Sequence, residues 1–100
     1  MQEVTIDQAA SAATGAGVIV DVREPAEYRD GHIPGAVNIP MGQLTARLSE
    51  IDRHQPVYVV CASGNRSSAM TDVLTAAGFD AFNVAGGTSA WIRSGLPVEK

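Results

Sequence analysis

The chain has 100 residues, 45% of them hydrophobic and 18% charged, with a formal net charge of −4 at pH 7. That length makes one domain, expected over residues 1–100, and suffices to bury roughly two-thirds of the unfolded surface in a compact core. The acidic balance argues against nucleic acid or an anionic membrane surface as partners, because both bind through basic patches, so any anion must be held by local groups.

At the N-terminus, "MQEVTIDQAA" lacks the basic and apolar regions of a signal peptide, which makes a cytoplasmic location the expectation. Thr5 and Gln8 have capping-box spacing for a first helix through Ala13, with Asp7 as the alternative cap. "VIVDV" (18–22) is β-branched and bounded by turn residues, as a strand buried on both faces would be, and "AVNIP" (36–40) adds a second short strand. "QLTARLSEI" (43–51) sets Leu44, Leu48 and Ile51 at i, i+4 and i+7, one stripe of an amphipathic α-helix. "VYVV" (57–60) reads as another strand. "NRSSAMTDVLTAAGF" (65–79) predicts a helix with Ser67 or Ser68 near its start, apolar Met70, Val73 and Leu74, and Gly78 as its left-handed stop. "AFNV" (81–84) is a fourth strand, and "TSAWIRSG" (88–95) a last short helix closed by Gly95 and then Pro97. Parallel strands need crossover helices, so this alternation predicts an α/β fold: an open parallel sheet with helices on both faces.

The one cysteine, Cys61, directly follows "VYVV". In an open α/β sheet ligands bind beyond the carboxyl ends of the strands, which is where Cys61 stands. Ala62, Ser63, Gly64, Asn65 and Arg66 are small or tolerant of unusual φ, apart from Arg66, and can curl with successive N–H groups pointing inward. The helix that follows turns unsatisfied N–H groups and its positive dipole end toward the sulfur, and Arg66 adds a full charge. A thiolate is therefore favoured, and the same donors would hold a terminal persulfide or an anionic substrate. A packing cysteine has no need of such a loop, so Cys61 is read as a nucleophile, with Ala62, Ser63, Gly64, Asn65, Arg66 and Ser67 as the substrate-binding loop.

Asp21 ends the strand beside Cys61 and is expected to orient the loop or Arg66. Arg23 and Glu24 read equally well as a surface pair. His32, between Gly31 and the Pro34-Gly35 turn, is assigned a structural hydrogen-bonding role, and His54, beside Asp52 and Arg53, a solvated one. Trp91 belongs in the core. Gly86-Gly87 makes a turn and could also let backbone approach the site. One cysteine permits no internal disulfide, and with two distant histidines it cannot complete a tetrahedral metal site, so no metal is expected.

Three stretches together resemble a known family. "DVREPAEYRDGHIPGAVNIP", "CASGNRS" and "VAGGTSAWIRSGLP" are similar to the N-terminal signature, the active-site loop and the C-terminal signature of single-domain rhodaneses, and the likeness runs nearly end to end. The resemblance implies a single rhodanese-like domain acting as a sulfurtransferase. Cys61 would take the outer sulfur of thiosulfate or a persulfide, carry it as a cysteine persulfide, and pass it to cyanide or a thiol, with no cofactor. Partners would be a small anionic sulfur donor, a thiol or cyanide acceptor, or a protein persulfide. Glu27 and Ser63 stand where thiosulfate-using relatives place cations, which implies weak thiosulfate binding. Two other readings remain at this point: a persulfide carrier or interaction module without turnover, and, less favoured, a phosphatase of the same fold. Such phosphatases have one more residue between Cys and Arg.

Overall fold

The computed structural model describes residues 1–15 and 17–100 and contains five strands: β1 (Gln2–Val4), β2 (Val18–Asp21), β3 (Val37–Asn38), β4 (Val57–Val60) and β5 (Ala81–Val84). They form one sheet in the order β1-β5-β4-β2-β3, every neighbouring pair parallel. The connections carry α1 (Ile6–Ala13), α2 (Pro25–Arg29), a 3-10 helix (Met41–Glu50), α3 (Asn65–Ala76) and α4 (Gly87–Arg93). This is the α/β architecture expected from the alternation of apolar runs and helix signals.

Side chains alternate across the sheet, and the alternation sorts the core into two layers. Val20, Val22, Val57, Val59, Cys61 and Ala81 point to one face, where Leu44, Leu74 and Phe79 cover them. Ile19, Val60 and Val84 point to the other, against Ala9, Ile33 and Trp91. Both faces are therefore buried, which explains strands that are nearly all apolar rather than alternating. Leu44, Leu74, Val20 and Val59 have no exposed surface, and each such side chain contributes about 1.5–3 kcal/mol through burial. Trp91 is buried too, and its indole N–H is satisfied by the Pro97 carbonyl at 2.7 Å. No helix among the described residues is long and apolar enough to cross a membrane.

The first helix starts as Thr5 and Gln8 predict. Thr5 Oγ1 accepts from the Gln8 N–H at 3.2 Å while Gln8 Oε1 accepts from the Thr5 N–H at 2.8 Å, so Asp7 is not the cap. Three features differ from expectation. Residues 41–50 form a 3-10 helix, not an amphipathic α-helix: Arg47 leaves helical geometry (φ −121°, ψ 21°), and Ile51 lies past the end in extended conformation. The local bonds favour i to i+3 spacing, with the Gln43 N–H on the Pro40 carbonyl at 2.8 Å and the Arg47 guanidinium forked onto Glu50 at 2.8 Å. Only Leu44 of the supposed stripe is buried within this helix. Second, α3 is capped by Gly64, whose φ of 109° is left-handed, so the helix begins ahead of Ser67 and Ser68 and carries Ser67 inside it. Third, β1 and α2 are additional elements. β1 is held by pairing with β5, and α2 opens on Pro25, whose missing N–H costs nothing in a first turn.

Candidate active site

β4 and β2 pair with Asp21 opposite Val60, so Val22 and Cys61 emerge side by side at the carboxyl edge of the sheet. Cys61 is buried, 1% exposed, beneath the turn that leads into α3. The left-handed Gly64 lets the chain reverse tightly enough to aim its own N–H at Cys61 Sγ, 3.0 Å away. One turn further, Ser67 Oγ lies 3.3 Å from the sulfur. Burial pushes the Cys61 thiol up, but the Ser67 hydroxyl and the backbone N–H groups of Ser67, Gly64 and Ser63 outweigh it, leaving the pKa below its ordinary value. These donors belong to the start of a 12-residue helix whose dipole favours the same charge.

A second helix start holds the loop's outer wall. Gly86 and Gly87 are both left-handed, at φ 80° and 60°, and bring the first turn of α4 against the loop backbone. The Thr88 N–H donates to the Cys61 carbonyl at 2.8 Å and the Ser89 N–H to the Ala62 carbonyl at 3.0 Å. Two otherwise unpaired helix N–H groups are thus satisfied by the very residues they position. A Cβ on Gly87 would overlap the Cys61 carbonyl oxygen and the Ala62 backbone. The turn at Gly86-Gly87 therefore does bring backbone to the site.

Arg66 leads from the loop into α3, and its guanidinium is forked onto Glu27 of α2, Nη1 to Oε1 at 2.7 Å and Nη2 to Oε2 at 2.9 Å. Glu27 Oε1 also accepts the Glu24 N–H at 3.0 Å. The Arg66 hydrogen bonds, helped by the Glu24 N–H, hold the Glu27 carboxyl at about 2, and Glu27 in turn pushes Arg66 up. An open cleft of about 450 Å³ adjoins this pair, walled by Val22, Glu24, Met41, Gly42, Gln43 and Arg66.

Asp21 does not orient Arg66 or the loop by hydrogen bonding. It is fully buried and spends its carboxylate on Arg23: Oδ1 accepts from the Arg23 N–H and Nε at 3.0 Å, and Oδ2 from Nη2 at 2.8 Å. Arg23, 6% exposed, reaches on to the Gly31 carbonyl at 2.8 Å, so it is a buried strut and not a member of an ordinary surface pair. Burying this charge is tolerable because the two groups neutralise each other through several close hydrogen bonds. His32 is structural, as expected: its ring stacks on Tyr28 at 3.7 Å and its Nδ1 lies 2.8 Å from the Tyr28 carbonyl. His54 is exposed.

The structure adds pairings that the sequence did not disclose. Glu27 is the partner of Arg66. Asn83, 3% exposed on β5, places Oδ1 2.6 Å from Ser67 Oγ, and its Nδ2 donates to Glu3 Oε2 at 3.0 Å. The available signal was a lone amide inside the apolar run "AFNV": a polar group on a buried strand needs a buried partner. Together these groups form a small cradle that favours a thiolate, with the Arg66 guanidinium beside it engaged by Glu27.

Comparison with known proteins gives a consistent picture. The Rhodanese-like domain family model matches residues 5–94. A curated sulfurtransferase of Allochromatium vinosum is 40% identical over 82 residues, covering 81% of this chain and 77% of that protein. A rhodanese-related protein of Thermoplasma volcanium superimposes with a TM-score of 0.93 at 32% identity, covering 99% of this chain and 98% of the other. A rhodanese-like domain protein of Staphylococcus aureus does so with a TM-score of 0.88 at 36% identity over the whole of both chains.

Proposed function

Since this chain belongs to the rhodanese-like domain family, we propose that it is a sulfurtransferase in which Cys61 carries the transferred sulfur as a persulfide. The observation that carries this reading is the Cys61 sulfur, accepting the Gly64 N–H at 3.0 Å beneath the start of α3 in a setting that lowers its pKa. The thiolate attacks the outer sulfur of the donor, one S–S bond forms as another breaks, and the donor's remainder leaves with the bonding electron pair. Thiosulfate would release sulfite, and an organic persulfide would release a thiolate. The new terminal sulfur is itself an anion close to the same N–H groups, so the loop of Ala62, Ser63, Gly64, Asn65, Arg66 and Ser67 would serve reactant and intermediate alike. An acceptor then attacks that outer sulfur and restores the Cys61 thiolate: cyanide becomes thiocyanate, a thiol becomes a persulfide. Sulfur changes hands without net oxidation of the protein, so the sequence of steps calls for no cofactor.

Arg66 supplies the attraction for an anionic donor, and Glu27 competes for it. Steady-state transfer with thiosulfate and with an organic persulfide, read as product formed per Cys61, tests the proposal. Many turnovers from either donor support the enzyme. A single sulfur loaded, only from a partner protein, would replace it with a carrier role.

A further inference from the structure

We propose that Asn83 and Glu3 are positioning residues for Cys61, acting through the Ser67 hydroxyl to hold the proton on the sulfur. The kinetic meaning of this rests on the sulfurtransferase reading, while the chemistry of the thiol does not.

Ser67 is fully buried and its hydroxyl carries one hydrogen, yet two acceptors lie within reach. Cys61 Sγ is 3.3 Å away and Asn83 Oδ1 2.6 Å. Which way the hydrogen points depends on which end of the Asn83 amide faces it. A carboxylate has no hydrogen to give, so Glu3 Oε2, 3.0 Å from the amide, admits only the Nδ2 end, and that turns Oδ1 toward Ser67. The register of β1 on β5 pairs Glu3 directly with Asn83, so both side chains project from the same face of the sheet.

With the thiol protonated, the chain is satisfied from end to end: S–H to Ser67 Oγ, Ser67 O–H to Asn83 Oδ1, Asn83 N–H to Glu3. Once the proton leaves, the Ser67 hydrogen can serve the thiolate only by abandoning a buried amide oxygen. The cradle of N–H groups and the Ser67 hydroxyl draw the Cys61 pKa down, and the Glu3-Asn83 arm opposes this by competing for the one hydroxyl hydrogen. Other charged groups near the sulfur are accounted for. Arg66 of α3 is paired with Glu27 of α2, and Asp21 and Arg23 at the end of β2 are paired with each other. The first turn of α4 has no charged side chain, and its N–H groups go to the Cys61 and Ala62 carbonyls.

The test is the pH dependence of Cys61 alkylation by iodoacetamide in the wild type, Glu3→Gln, Asn83→Ala and Ser67→Ala, and in the doubles Glu3→Gln/Ser67→Ala and Asn83→Ala/Ser67→Ala. Glutamine at position 3 accepts either end of the Asn83 amide, so the amide can turn, donate to Ser67 Oγ and free the hydroxyl hydrogen for the sulfur. The expected result is a midpoint lower by about half to one pH unit in Glu3→Gln and in Asn83→Ala, shrinking to a small remainder when Ser67 is absent. Loss of the Glu3 charge acting through space would persist without Ser67, which is how the cycle separates the two. Unmoved or raised midpoints, or equal shifts with and without Ser67, would overturn the proposal. Glu3 is exposed, so its variant keeps the test open should Asn83→Ala fail to fold. A protein that alkylates as described yet accepts sulfur from no donor would remove the sulfurtransferase reading and leave this one standing.

Discussion

Glu27→Gln isolates the competition for Arg66. The substitution keeps the shape of the side chain and a carbonyl oxygen for the Glu24 N–H, but it removes the charge that holds the guanidinium through two bonds of 2.7 and 2.9 Å. The carboxyl moves from 4.5 to about 2, which taken at face value corresponds to roughly 3.4 kcal/mol. The side chains are 34% and 37% exposed, however, and solvent screening reduces such a pair to about 1 kcal/mol. A doubly charged donor bound at Arg66 would also escape repulsion from the Glu27 carboxylate, about 1 kcal/mol in water for an assumed separation on the order of 8 Å. KM for thiosulfate should therefore fall about tenfold or more, measured as thiocyanate formed with cyanide in excess, with the difference shrinking as salt is raised. The same variant should lose about 4–8 °C in Tm near neutrality. Because the folded-state pKa is depressed, that stabilisation is present in the wild type above pH 4.5 and disappears as the pH falls toward 2, so the two melting curves should converge over that interval. An unchanged or higher KM in a folded variant would refute the view that Glu27 withholds Arg66 from the donor.

Gly87→Ala should cost about 2–4 kcal/mol in urea unfolding, from left-handed strain plus overlap with the loop backbone, and should slow sulfur loading; a loss below 1 kcal/mol would mean that α4 does not brace the loop. In the wild type, alkylation of Cys61 should reach its midpoint below that of an ordinary thiol, and a midpoint at or above about 8.5 would contradict the lowered pKa.

What the sequence disclosed is what neighbours along the chain decide. "VYVV" followed by Cys61 and a Gly-bearing turn reveals a strand, a sheet edge and a helix start, because each depends on a few adjacent residues. Thr5 and Gln8 likewise announce their capping box. Most of the hidden features depend on distant pairings, and the rest on local geometry that competes with a helical pattern. The short polar strand "QEV" has no strand signature of its own and exists through its register with Phe82, Asn83 and Val84. Asp21 pairs with Arg23 and not Arg66 because Arg66 finds Glu27, 39 residues away. Leu44, Leu48 and Ile51 share helical spacing, but their arrangement is decided by Pro40 and by the Arg47-Glu50 pair, which select a 3-10 path. Ser67 reads in isolation as a residue near a helix start and at the end of the loop. Only the left-handed Gly64 ahead of it moves it into the helix and under the sulfur.

The central claim is that Cys61 forms the persulfide, and intact-protein mass tests it most directly. Wild type and Cys61→Ser are incubated with thiosulfate or an organic persulfide, freed of donor, weighed, then treated with cyanide. The account predicts that the wild type gains the mass of one sulfur atom, loses it to cyanide as thiocyanate, and that Cys61→Ser gains nothing. No sulfur on the wild type from either donor, or the same cyanide-labile gain on Cys61→Ser, would contradict it.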